Sequence, residues 1–213
     1  GGVSMAIHES QSRFYENIIG RSRAFCGVIY PWLREHFAPR LDDVSQDAFY
    51  RMINKAQPSL IRTEADELTY CLHIMVRYEL EKRMFAGELT AHDLPAEWNR
   101  LYKAYLGVDV PNDREGVLQD SHWAGGSIGY FPSYAIGSAY GAQYLRQMQK
   151  DFDVYAAVRS GRLTQINRWL EEKIWKYGCM KDPTPLFESV CGKFDPTRYT
   201  AYLREKLTEV YGL

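Results

Sequence analysis

Residues 63–87 read TEADELTYCLHIMVRYELEKRMFAG, and their spacing decides the fold class. Leu68, Leu72, Met75, Val76, Leu80 and Met84 recur mostly at intervals of three and four, the period of one face of an α-helix. Thr63 followed by Asp66 reads as a capping box with Asp in place of the usual Glu, and Gly87 supplies the stop. Asp66 and Glu67 then fall in the first turn, where acids suit the positive end of the helix dipole. No stretch of the chain alternates polar and apolar residues as a half-buried strand does.

Helical patterns continue on both sides. Upstream, 45–56 is a second candidate, with Asp42, Asp43 or Ser45 as cap and Pro58 as stop. Residues 10–36 carry Phe14, Ile18, Phe25, Ile29 and Leu33 at helical spacing, and Pro31 predicts a kink or break there. Downstream, 97–106 is closed by Gly107. Residues 107–129 break the pattern with five glycines, Pro111 and the polar string Gln119-Asp120-Ser121-His122-Trp123. Loops of that length inside a compact chain are often functional. Residues 134–150 return to a helix rich in Ala, Gly and Ser, which lets a second backbone approach. Residues 163–177 and 196–211 are amphipathic helices, with Pro183 and Pro185 between them. The expectation is an all-α chain forming a single domain over 1–213, with 125–128 as a short strand at most.

Composition narrows the function classes. The chain of 213 residues is 46% hydrophobic and 25% charged, with a net charge of −1, so no basic excess points to nucleic acid. No apolar run approaches the roughly 20 residues that span a bilayer. Cys26, Cys71, Cys179 and Cys191 form no Cys-x-x-Cys pair, which argues against a zinc ribbon and leaves cytoplasmic thiols as the default.

Three polar clusters stand out. In His8-Glu9-Ser10-Gln11-Ser12-Arg13, Glu9 and Arg13 share a helix face; they are either a surface ion pair or a metal-ligating carboxylate with polar support. In 61–67, Arg62 either pairs with a nearby acid or grips a substrate carboxylate with its planar fork. The third cluster joins His122, in the glycine-rich segment, to Tyr130 and Tyr134. Two phenols and an imidazole converging on a cleft can stabilise an oxyanion; the alternative is aromatic packing at a helix start. His73, on the apolar helix, reads as a core histidine.

His-Glu-Ser-Gln at 8–11, Ile-Arg-x-x-Ala-Asp-Glu at 61–67 and Gly-x-x-Gln-Asp-x-His-Trp at 116–123 resemble, in order, the motifs of the carboxypeptidase Taq family of zinc metallocarboxypeptidases. The resemblance implies a nearly all-helical, gluzincin-type fold with a deep cleft. It also implies a divalent metal, zinc or another such as cobalt, and a peptide substrate with a free C-terminal carboxylate. Glu9 matches the family's metal-ligating Glu, and Arg62 the Arg that binds the terminal carboxylate. His122 and Tyr134 resemble the pair that hydrogen-bonds the tetrahedral intermediate, with Tyr130 as the alternative phenol. A homodimer is implied as well. The chain departs from the family in carrying no His-Glu-x-x-His, the source of two further ligands and the general base. It therefore reads as the C-terminal portion of a larger catalytic domain, inactive alone. Two rival readings are a truncated, non-catalytic binding or dimerisation module and an endo-acting oligopeptidase.

Overall fold

The computed structural model describes residues 4–213. Its helices, in chain order, are α1 (Met5–Arg13), α2 (Arg23–His36), α3 (Gln46–Ile53), α4 (Tyr70–Phe85), α5 (Leu94–Leu106), α6 (Pro132–Met148), α7 (Val154–Arg159), α8 (Leu163–Lys173), α9 (Pro183–Cys191) and α10 (Thr197–Tyr211). A π-helical turn (Phe14–Ile19) follows α1, and 3-10 turns stand at Arg62–Glu64 and Trp175–Tyr177. No strand occurs among the described residues, 125–128 included, so the all-α expectation holds. The chain divides into two compact units: the first reaches up to Lys55 and resumes from Ile136 to Leu213, and the second is Ala56–Ala135.

In the first unit, the break in the long N-terminal run comes at Gly20 rather than at Pro31. A Cβ on Gly20 would stand 2.8 and 2.9 Å from the Glu16 and Tyr15 carbonyl oxygens, so the wide π turn closes only over glycine. Ser22 then starts α2, its Oγ accepting from the Phe25 N–H at 3.1 Å. Pro31 lies on the exposed side of α2, where it costs one ladder bond and α2 runs on to His36. The prolines at 183 and 185, read as a connector, instead open α9. Pro183 takes its first position, where the missing N–H is no loss. Phe14, Ile18 and Ile19 of the π turn pack with Tyr144 and Met148 of α6, Ile166 and Leu170 of α8, and Phe187 of α9.

The second unit is built on α4 and α5. Val76 and Leu80 pack with Trp98, Leu101, Tyr102 and Leu106, and the Trp98 and Tyr102 rings stack at 5.0 Å. The start of α4 differs from the expected capping box. Residues 62–64 form a separate 3-10 turn, the N-cap is Thr69, and Asp66 braces the turn ahead of the helix, accepting from the Leu68 and Thr69 N–H groups at 2.9 and 3.0 Å. The buried face is also rotated. Leu68 and Met75, placed on the apolar stripe, are 44% and 46% exposed. His73, Arg77 and Glu81, one turn apart, are buried together with Ile74, Val76 and Leu80. A hydrophobicity count misses such a face, because three of its members are polar groups that stay inside by finding partners.

Candidate active site

Four of the five residues singled out from the sequence lie in the second unit, and the structure brings them together. Tyr134 sits in the first turn of α6 and donates or accepts at 3.0 Å with His122 Nε2. The ring of His122 lies 4.3 Å from that of Phe131, which is 1% exposed and forms the floor. Tyr130, two residues before α6, places its ring 5.2 Å from Tyr134 and 5.6 Å from His122. An imidazole and two phenols thus share one half-buried corner, rimmed by the glycine-rich segment.

Beneath this corner is a buried charge cluster. Arg62 donates from Nε and Nη2 to Asp120 Oδ1, at 3.0 and 2.6 Å, and from Nη1 to the Tyr70 hydroxyl at 2.9 Å. Arg77 approaches the other oxygen, Nε and Nη2 lying 2.6 and 2.5 Å from Asp120 Oδ2. Its Nη1 donates to the His73 carbonyl at 2.7 Å, and its guanidinium covers the Trp98 ring at 4.5 Å. Gln119 completes the latch: its Oε1 accepts from the Arg62 backbone N–H and from Arg77 Nη2, both at 2.9 Å. Burial alone would raise the Asp120 carboxyl. The hydrogen bond from Arg62 and the charge of Arg77 outweigh it and hold the acid below its usual range. Two guanidiniums on one carboxylate leave the cluster with a net positive charge.

Arg62 therefore has its side-on edge committed to Asp120. Three of its five N–H groups are taken by Asp120 and Tyr70, leaving one on each terminal nitrogen. Asp120, Gln119, Tyr70 and Arg77 are the residues to which sequence reasoning assigned no role. A lone Arg at 77 between Val76 and Leu80 was the available signal, because a charge on a core face must be paired.

Glu9 belongs to the first unit, on α1. It is half-buried, with Ser12 Oγ 3.3 Å from its Oε2. The rest of its motif secures the helix. Ser10 Oγ donates to the Ile7 carbonyl, Gln11 Nε2 donates to Ser10 Oγ at 2.9 Å, and Trp175 Nε1 donates to Gln11 Oε1 at 2.9 Å. α6 lies against this motif backbone to backbone, since a Cβ on Gly137 would be 2.8 Å from Glu9 Cβ and Ser10 N. Among the described residues no group of three His, Cys, Asp or Glu side chains is arranged to hold a metal ion. Glu9 by itself does not fit a zinc centre, which takes three protein ligands when catalytic.

Comparisons with known proteins give the family. The model of the carboxypeptidase Taq (M32) metallopeptidases matches residues 1–207. The chain belongs to that family. It is 46% identical over 212 residues to carboxypeptidase 1 of Bacillus subtilis (strain 168), covering 99% of this chain and 42% of that one. The thermostable carboxypeptidase 1 of Thermus thermophilus is 42% identical over 212 residues, 99% of this chain and 41% of the relative. The crystal structure of the M32 carboxypeptidase from Deinococcus radiodurans R1 superposes with a TM-score of 0.94 at 40% identity, covering 100% of this chain and 44% of that one. The chain thus spans less than half the length of the M32 relatives it matches, and the M32 fold expected from the three motifs is the one it adopts.

Proposed function

We propose that the M32 chain works as part of a metal-dependent carboxypeptidase that removes single residues from peptide C-termini. The carrying observation is the buried, net-positive Arg62–Asp120–Arg77 cluster directly beside the His122–Tyr134 pair. A terminal carboxylate needs a cationic partner one residue beyond the scissile bond. A developing oxyanion needs donors fixed in a water-poor corner. Arg62 supplies the first through its two remaining terminal N–H groups. His122 and Tyr134 supply the second, with Tyr130 closing the rim. Glu9 serves as one metal ligand, for zinc or a comparable divalent ion such as cobalt. The metal, when bound, supplies acidified water. The same reading takes the protein to act in the cytosol, where its cysteines, none of them in a disulfide among the described residues, remain thiols; a homodimer rests on the family resemblance alone.

The test is Arg62→Lys in the active enzyme, with kcat/KM measured for one peptide as free acid and as C-terminal amide. Lys keeps the charge and loses the planar donors, so free-acid cleavage should fall roughly ten- to a hundredfold, matching the ~1.5–3 kcal/mol of hydrogen bonds to charged groups. The amide, already a poor substrate, should change little. Equal losses on both would show that Arg62 acts only through Asp120 and that the anchor lies elsewhere.

A further inference from the structure

Asp120 stands between two guanidiniums and an imidazole. Its Oδ1 takes Nε and Nη2 of Arg62 at 3.0 and 2.6 Å and lies 3.9 Å from His122 Nδ1. Its Oδ2 takes Arg77 Nε at 2.6 Å, and the side chain is 9% exposed. An ionised carboxylate is acceptor-only, so it can receive from both arginines at once with no donor left over. Of its neighbours, Arg77 is the fixed point. It rises from the middle of α4, is 0% exposed, and is held by the His73 carbonyl, Gln119 and the Trp98 face. Arg62 comes from a 3-10 turn and His122 from the glycine-rich segment, neither of them within an α-helix.

We infer that Asp120 is a positioning residue: its two oxygens transfer the fixed geometry of Arg77 to Arg62 and to His122. One carboxylate thereby holds the terminal-carboxylate anchor and the oxyanion donor in register. Those two roles rest on the function proposed above; the transfer of geometry does not.

The chemistry requires Asp at this position. An Asn amide offers one acceptor oxygen and one NH2. Whichever way it turns, the NH2 faces a guanidinium, donor against donor, and one arginine is released inside the protein. His122 meanwhile loses a negative charge 3.9 Å from Nδ1 while both guanidiniums stay. Tyr130 and Tyr134 beside it present hydroxyl groups, which do not replace that charge. The imidazole pKa must then fall.

Two measurements on Asp120→Asn test this. The first is a proton NMR titration of the 213-residue chain, with His122 assigned by its loss in His122→Gln. Only five histidines are present, which keeps the assignment simple. A drop of about one pKa unit or more is expected, the effect of an opposite charge at this range. The second is kcat and KM, taken separately, in the active enzyme. We expect roughly a 10–100-fold loss in kcat/KM, as for the loss of partners that orient active groups. The loss should appear in kcat for acid and amide peptides alike, because His122 serves both, with a further rise in KM for the acid alone. An unchanged His122 titration in folded Asp120→Asn overturns the inference. Should Asp120→Asn fail to fold, Asp120→Glu decides, since it keeps the charge and moves the carboxylate by one methylene. Full activity in Asp120→Glu overturns the inference, and a kcat loss at unchanged Tm supports it. A wild type that cleaves acids and amides equally removes the carboxypeptidase reading and leaves the His122 titration to judge Asp120 on its own.

Discussion

At the scale of single residues, the second unit buries more charge than its size suggests. Arg77 is completely enclosed, and removing one partner of such a buried pair costs about 3–5 kcal/mol, because the other charge stays unpaired. His73 is enclosed beside it, with Nδ1 3.1 Å from the Tyr102 hydroxyl. Burial first, and then the charges of Arg77 and Arg62, push its pKa down to about 4 from an ordinary 6.5. That depression fixes the sign of a pH dependence. Between pH ~6.5 and ~4 the unfolded chain binds a proton at His73 and the folded chain does not. Stability is therefore full above about 6.5 and drains as the pH falls, by at most on the order of 3 kcal/mol, taking ~1.4 kcal/mol per unit. Urea unfolding at pH 7 and pH 4.5 checks it. Wild type should lose more stability between the two than His73→Gln, which keeps a polar group and cannot titrate. Equal losses in the two proteins would assign the acid sensitivity to other groups.

At the scale of elements, α1 and α6 meet through missing side chains. Gly137 receives the backbone of Glu9 and Ser10, with a would-be Cβ only 2.8 Å from their atoms, whereas Gly141 leaves 3.4 Å to the end of the Ile18 side chain. The two glycines of one helix should therefore respond differently. Gly137→Ala forces backbone against backbone and should cost about 1–3 kcal/mol, as overpacking does. Gly141→Ala meets ordinary contacts, and the helix preference for Ala, ~0.5–1 kcal/mol, should leave it neutral or slightly stabilised. Thermal unfolding followed by circular dichroism separates them; a Gly137→Ala protein as stable as wild type would mean that α1 yields freely. The small residues of this helix were legible in the sequence as a close-approach signal, and so were the helices with clean caps, such as Gln46–Ile53 behind Ser45. Other features were not legible. The break at Gly20 depends on a π turn, which no period of three or four announces. The face of α4 is set by His73, Arg77 and Glu81, whose burial is decided by partners 29 and 43 residues away and by a loop amide at Gly129. The candidate site divides along the same line. His122, Tyr130 and Tyr134 could be named from a glycine-rich segment and a helix start. Asp120 could not, because its meaning lies in Arg62 and Arg77, 58 and 43 positions away.

At the scale of the whole molecule, the charge cluster and the metal-ligand candidate belong to different units, so their chemistry can be tested separately. The 213-residue chain supplies Glu9 as its candidate ligand, and no other ligand group is assembled among the described residues. A single half-buried carboxylate offers one oxygen donor group, where zinc in a catalytic site takes three protein ligands and in a structural site four. Zinc affinity of the chain should then fall well short of the ~10–16 kcal/mol that fully ligated sites reach. The neighbouring His8 is exposed and is the natural source of weak, adventitious binding, because an imidazole takes zinc readily at neutral pH. Isothermal titration with zinc separates the possibilities through two variants. If Glu9 holds a share of the metal, Glu9→Gln weakens the small heat that remains and His8→Gln leaves it largely intact. If the heat vanishes with His8→Gln alone, the chain binds zinc only by surface chance. A tight, one-to-one site in wild type that Glu9→Gln abolishes would overturn the expectation, because it would require two further ligands that the described residues do not bring to Glu9.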